Sequence, residues 1–465
     1  MRARAIFVGG TASHVGKSWM TTAICRHLRR RGFRVAPFKA QNMSNNSFPC
    51  AGGFEIGRAQ VAQAEACGLE PEPDMNPVLL KPNSEQGSQV VVNGKVWKTL
   101  QASQYFGETA RLRQAAQDAY ARLASRFEYV VMEGAGSVAE LNLKSRDFVN
   151  LSMAKAAGAA ALLVSDIDRG GVFAALIGTL GLLDPEERAL VRAFAVNRFR
   201  GDQDLFAEGV RIIEERSGCP SLGVFPHRPG VGLQEEDSVA LDEAGGDAEA
   251  EIAILRLPRV SNFTDFRLLR AAWITRPVER EFRWIIVPGT KNTLGDLAWL
   301  RANGLDRWIV EQHGRGAQVL GVCGGFQMLG RSIQDPHAME SARPDAAEGL
   351  GLLPVETVLA PGKVVKTVRA RVRGIEAGAY EIHLGETTGG PALPAFALID
   401  GDRPEGVVCE RVTGTYLHGV FEHAALARAI FGDFSVHDQS AAPYETLADW
   451  FEQHANLALF EERFL

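Results

Sequence analysis

The chain has 465 residues, 46% hydrophobic and 23% charged, with a formal net charge of −6 and no low-complexity tract, which suits two or three globular domains of ordinary size. Its Lys and Arg are spread rather than clustered, so nucleic acid is not an expected partner, and no run approaches the ~20 apolar residues of a membrane-spanning helix. A cytoplasmic protein is expected, and its cysteines (Cys25, Cys50, Cys67, Cys219, Cys323 and Cys409), lacking any Cys-x-x-Cys, indicate neither a zinc cage nor a disulfide framework.

In chain order, residues 4–9 read as a short apolar strand, residues 17–31 as an amphipathic helix closed by Gly32, and residues 33–38 as a second strand. Further strands are expected at residues 129–132, 160–165 and 194–196, with helical patterns between them, which is the α/β pattern of a parallel sheet. Residues 234–251 are acidic and small and read as a solvated linker between a first domain, residues 1–233, and a second, residues 252–465. The second domain opens another α/β series with strands at 252–256, 284–287 and 319–322, followed by β-rich sequence over 355–412.

The first chemistry-bearing stretch is Gly10-Thr11-Ala12-Ser13-His14-Val15-Gly16-Lys17-Ser18. It resembles a phosphate-binding loop lengthened by one residue, since five residues rather than four separate the first glycine from Gly-Lys-Ser. It follows a strand and opens a helix, so backbone N–H groups and the helix N-terminus face an anion, Lys17 reaches outer phosphates and Ser18 can ligate magnesium. A plain glycine turn is the alternative, and the strand–helix context weighs against it. Glu133 ends an apolar strand before the glycine turn Gly134-Ala135-Gly136, where a carboxylate can hold the same magnesium. Asp166 and Asp168 end another strand on the ligand-binding edge, but turn-starting aspartates are common.

In the second domain, Gly321-Val322-Cys323-Gly324-Gly325-Phe326-Gln327 is a strand, a tight turn and a helix start with a cysteine at the apex. Such an elbow exposes the sulfur and aims the Gly324 N–H at a developing oxyanion. An ordinary thiol is only a few per cent ionised at pH 7, so a neighbouring base is needed. His418, in Gly414-Thr415-Tyr416-Leu417-His418-Gly419, is the candidate, brought near only by folding.

The lengthened loop resembles that of dethiobiotin synthetase and its relatives, which activate carboxylates with ATP through acyl phosphates. Gly321, Cys323, Gly325 and Gln327, with late His418, resemble the class I, or triad, glutamine amidotransferases. Pro288-Gly289-Thr290 matches that family's early Pro-Gly turn, which implies that the Gly289 N–H completes the oxyanion hole. The chain departs from the family's His-Pro-Glu: position 420 is Val and the nearest acid is Glu422, leaving the orienter of His418 open.

A carboxylate-activating domain followed by a glutaminase domain resembles the cobyric and cobyrinic acid amidases and a cell-wall relative. Within them, Phe38-Lys39-Ala40-Gln41-Asn42-Met43-Ser44-Asn45-Asn46, Val196-Asn197-Arg198-Phe199-Arg200-Gly201-Asp202, Leu257-Pro258-Arg259-Val260-Ser261-Asn262-Phe263-Thr264-Asp265-Phe266 and Tyr380-Glu381-Ile382-His383 resemble the cobyric acid synthase branch. The resemblance implies a ligase that uses glutamine, ATP and Mg2+ to amidate four peripheral carboxylates (b, d, e and g) of the corrinoid adenosylcobyrinic acid a,c-diamide. It implies Cys323 and His418 as catalytic residues, Gly289 and Gly324 as the oxyanion hole, and Gly10, Thr11, Gly16, Lys17, Ser18 and Asn197 at ATP, with Asn197 reading adenine unless it is only a turn residue. Lys39 and Asn42, at the sheet's ligand edge, are assigned to phosphate or corrinoid, unless Lys39 only caps a strand end in solvent; His383 lines the second cleft or is packed beside Tyr380. Two rivals are the sibling a,c-diamide synthase and a partitioning ATPase with a decayed glutaminase domain. The first is disfavoured by the Lys39–Ser44 segment, the second by Thr11 and Ala12 where its extra lysine would stand and by the presence of both Cys323 and His418.

Overall fold

The computed structural model describes residues 3–83, 87–228, 249–340, 343–389, 393–437 and 442–465. It contains two doubly covered sheets of the expected α/β class. The first has six parallel strands in the order Ser221–Pro226, Val191–Phe199, Ala160–Asp166, Arg4–Gly10, Tyr129–Glu133, Val35–Phe38. These strands read as continuous apolar runs because both faces are buried. Their two-residue period sends Phe7, Met132, Leu163 and Phe194 into one core and Ile6, Val8, Val131, Leu162 and Val164 into the other.

Helix Lys17–Arg30 covers the second of these faces with Met20, Ala23 and Ile24. Beside it lie helices Pro443–His454 and Leu457–Phe464 from the far end of the chain, which bury Leu447, Trp450, Phe451, Phe460 and Phe464 in the same core. Full burial of such side chains stabilises by roughly 1.5–3 kcal/mol each. The Trp450 indole N–H also donates to the Pro226 carbonyl at 3.0 Å, and Arg30 pairs with Glu445 at 2.5 Å and Asp449 at 2.7 Å. Chain order placed these helices in the second domain; their apolar faces assign them by packing to the first. The expected linker, residues 234–251, lies outside the described residues except for 249–251.

The second sheet runs Ala271–Ile274, Ile252–Leu255, Trp284–Val287, Gln318–Val322, Val412–Thr415, Val407–Cys409, parallel except for the last pair. The β-rich stretch forms an antiparallel hairpin, Val364–Val372 with Ile375–His383, whose second strand pairs with Leu417–His418. A smaller hairpin of the first domain, Ser47–Cys50 with Phe54–Gly57, meets it: the Phe48 and Tyr380 rings lie 4.9 Å apart. No helix among the described residues is long and apolar enough to cross a membrane.

Candidate functional site

The strand Gln318–Val322 leads directly into helix Gly324–Leu329, and Cys323 at the junction has φ 52° and ψ −112°. A side-chain-bearing residue in the left-handed region costs about 1–3 kcal/mol, a strain found where a site needs it. The flanking glycines follow from the same geometry, since a Cβ on Gly325 would fall 1.9 Å from the Val287 carbonyl oxygen. The elbow expected from the sequence is therefore present. Its thiol is nearly buried and points towards the Ile382 carbonyl, 3.6 Å away.

His418 is fully buried, and its ring stacks on Tyr380 with centroids 5.3 Å apart. Nδ1 lies 2.6 Å from an Asp265 carboxylate oxygen, and the other oxygen accepts the Gly419 N–H at 2.9 Å. Burial alone would favour the neutral ring, but the Asp265 charge, with a smaller contribution from Cys323, raises its pKa to about 10. The opposite ring nitrogen, Nε2, is left for the thiol. Glu422, the acid closest in sequence, is turned the other way and pairs with Arg58 of the first domain and with Arg267 at 3.2 Å. The orienter left open by the sequence is thus Asp265, 153 residues upstream. The pair has no fixed spacing that a linear pattern could show; the one sequence signal for Asp265 is its membership of the Leu257–Phe266 segment.

Gly289 lies against the imidazole, where an added Cβ would come within 3.3 Å of His418 Cε1, and Gly324 lies against Thr290 of the same Pro-Gly-Thr turn. Both glycines therefore border the elbow. The adjoining cavity, about 40 Å³, is lined by Cys323, Gln327, His383, Lys291, Glu340 and, from the first domain, Asn45 and Lys81. Burial lowers the Lys291 ammonium pKa and raises that of the Glu340 carboxyl to about 7. Lys363 of the second domain and Lys81 of the first outweigh burial and keep Glu55 ionised well below the usual carboxylate range. None of these charged residues was singled out by the sequence, where isolated lysines and glutamates carry no signal. His383 faces the cavity and stacks on Tyr416 with centroids 3.9 Å apart, whereas Tyr380, the packing partner expected from the sequence, stacks on His418 instead.

The second site is a cleft of about 750 Å³ over the lengthened loop. Gly16 opens helix Lys17–Arg30 at φ 91°, and His14 adopts φ 59°, which lets the extra residue be accommodated within the loop. Lys17 Nζ donates to the carbonyls of Ala12 at 2.9 Å and Gly136 at 3.1 Å, tying the loop to the glycine turn after Glu133. One Glu133 oxygen accepts from Ser18 Oγ at 2.9 Å and from Lys39 Nζ at 2.8 Å; the other accepts from Gln63. Those bonds and Lys39 outweigh burial and keep Glu133 ionised. Ser18 and Glu133 are two oxygen donors side by side, and no cluster of three or more His, Cys, Asp or Glu suited to a metal stands among the described residues. That set fits magnesium, which takes one or two protein ligands and completes its shell with phosphates and water.

Lys39 and Asn42 both line this cleft, as expected. Asn197 does not: its amide lies beneath the loop and donates to the Val15 carbonyl at 2.9 Å, while a Cβ on Gly16 would meet it at 2.0 Å. Gly10 and Thr11 likewise lie behind the cleft wall, Thr11 Oγ1 2.9 Å from Ser165 Oγ. Asp166 and Asp168 pair with Arg198 at 3.3 Å and Arg200 at 2.7 Å and stand outside the cleft.

Residues 6–239 match the CobQ/CobB/MinD/ParA nucleotide binding domain, and residues 251–426 match the CobB/CobQ-like glutamine amidotransferase domain. The cobyric acid synthase of Cereibacter sphaeroides is 45% identical over 98% of this chain and 98% of its own. Those of Dehalococcoides mccartyi, 45% identical over 92% and 89%, and Syntrophobacter fumaroxidans, 43% identical over 98% and 98%, are similar to the same extent. With a nucleotide-binding domain and a glutaminase elbow in this order, the chain belongs to the cobyric acid synthase family of glutamine-hydrolysing carbon–nitrogen ligases.

Proposed function

We propose that this chain amidates the b, d, e and g carboxylates of adenosylcobyrinic acid a,c-diamide, taking ammonia from glutamine and activating each carboxylate with ATP. The first domain, residues 1–233 completed by the two closing helices, holds ATP and corrinoid, and the second, from residue 252, hydrolyses glutamine. The observation that carries this reading is the wall the two sites share. Asn45 lines both the cavity beside Cys323 and the cleft over the phosphate loop. Its neighbours stitch the domains together: the Ser47 N–H donates to Asn262 Oδ1 at 3.0 Å, and the Phe263 N–H donates to Asn46 Oδ1 at 3.2 Å. The second of these bonds ends two residues before Asp265.

Cys323 attacks the glutamine amide carbon with the thiol proton already on His418, whose imidazolium is held by Asp265. The backbone N–H groups of Gly289 and Gly324 receive the oxyanion, and His418 returns the proton to departing ammonia, leaving a thioester that water hydrolyses. Ammonia is freed beside the shared wall. In the cleft, Gly10, Thr11, Gly16 and Lys17 form and hold the phosphate loop, braced by Asn197. Ser18 and Glu133 hold Mg2+, which neutralises phosphate charge when bound. Lys39, paired with Glu133, and Asn42 face the transferring phosphoryl group and the substrate carboxylate. The carboxylate takes the γ-phosphoryl of ATP, and ammonia displaces phosphate from the acyl phosphate; positioning and charge stabilisation are what this step asks of the protein.

Mass spectrometry of the corrinoid after incubation with enzyme, ATP, Mg2+ and glutamine tests the reading. Four successive losses of one mass unit, each a hydroxyl exchanged for an amino group, are expected. An unchanged corrinoid would refute it, and amidation of cobyrinic acid only at a and c would favour the sibling reaction.

A further inference from the structure

The cleft has an outer rim that phosphate chemistry does not use. Met43, Phe106, Leu141 and Leu143 line it, and they are 53%, 38%, 51% and 43% exposed. Several exposed apolar side chains gathered around one cleft point to a binding surface. The presentation is built in: after Glu133 and its glycine turn, successive tight turns (Leu143 N–H to the Glu140 carbonyl at 3.0 Å, Arg146 N–H to the Leu143 carbonyl at 2.9 Å) hold Leu141 and Leu143 outward.

Charge marks the same rim. Among the described Lys and Arg side chains lining the cleft, Lys17 bonds carbonyls, Lys39 pairs with Glu133, Lys144 with Asp184 and Glu187, and Arg198 with Asp166. Arg146 has no acid or carbonyl partner among the described residues; its guanidinium lies 4.4 Å over the Phe106 ring. Stacking of this kind orients the planar group and leaves its N–H edge free for a carboxylate.

We infer that Phe106, Leu141, Leu143 and Met43 form the platform on which the flat apolar face of the corrin ring rests, with Arg146 gripping one peripheral carboxylate and so fixing which carboxylate points at the phosphate loop. A large ring with apolar faces and an anionic edge matches this combination of apolar rim and single unpaired cation. The inference rests on the proposed corrinoid substrate.

Equilibrium dialysis with cobyrinic acid a,c-diamide, in the absence of ATP, tests it on the full chain. Arg146→Glu is expected to weaken binding about tenfold or more, as loss of a charged hydrogen bond does. Leu141→Ser with Leu143→Ser is expected to weaken it comparably, and Arg146→Lys less. All three positions are at the surface, and thermal melting of each variant reports whether it folds. Binding of folded Arg146→Glu within twofold of the unaltered chain overturns the platform while leaving the proposed function standing. Failure of the unaltered chain itself to bind the corrinoid overturns both.

Discussion

The cavity beside Cys323 measures about 40 Å³ and is walled by buried polar groups, whereas the cleft over the phosphate loop measures about 750 Å³ and has an apolar rim. The two differ in what holds them ready. At the elbow, an unfavourable φ of 52° and an imidazole fixed by Asp265 put reactive atoms in place before any substrate arrives. In the cleft, the loop cation Lys17 bonds backbone carbonyls and Glu133 is shared among Ser18, Lys39 and Gln63. Covalent attack on a small amide requires a preset nucleophile in a tight space. The phosphoryl transfer proposed for the cleft, to one edge of a large ring, would require room and movable charge.

The largest expected effects break this contrast outright. Cys323→Ala should lower glutamine-supported amidation at least about 10⁴-fold while ammonia-supported amidation persists, and Lys17→Ala should remove both; rates with each nitrogen source check the pair. Full glutamine-supported turnover by Cys323→Ala would sink the assignment of the nucleophile.

Asp265→Asn should cost about 10²–10⁴-fold in glutaminase kcat. Its pH signature is sharper. His418 is held protonated to about pH 10, above its ordinary 6.5, so the stabilisation from its pair with Asp265 is fully present below about pH 6.5 and lost as pH rises through 10. Urea melts of the unaltered chain and Asp265→Asn should therefore differ most at pH 6 and converge towards pH 10. An equal gap at both values would show that the pair does not titrate in this way.

Phe451→Ala should destabilise the first domain by about 3–5 kcal/mol, since it empties a packed site between helix Pro443–His454 and the first sheet. Thermal unfolding followed together with ATP binding would register it; a change confined to glutaminase activity would contradict the packing. Asn197→Ala is the mildest, removing one buried bond to the Val15 carbonyl, and should weaken ATP about fivefold to tenfold without the base selectivity change expected of an adenine reader. Isothermal titration with ATP and GTP separates the two.

Much of both sites was legible in the sequence because local rules govern them. A strand, a glycine turn and a helix start are the local context a phosphate loop and an elbow need, so Lys17, Ser18, Glu133 and Cys323 could be singled out as candidates by spacing, and the strand at Trp284–Val287 by its apolar run. Buried parallel strands alternate between two cores and announce themselves as continuous hydrophobic stretches.

What the tertiary structure alone decided is where distant residues meet. Asp265 reaches His418 across 153 residues, Asn45 stands at both sites, and the last helices of the chain close the first domain's core instead of the second's. Local spacing is set by the period of a helix or strand. Contacts between elements are set by which apolar faces and buried charges can satisfy one another once the chain has folded, and a linear pattern carries no record of that choice.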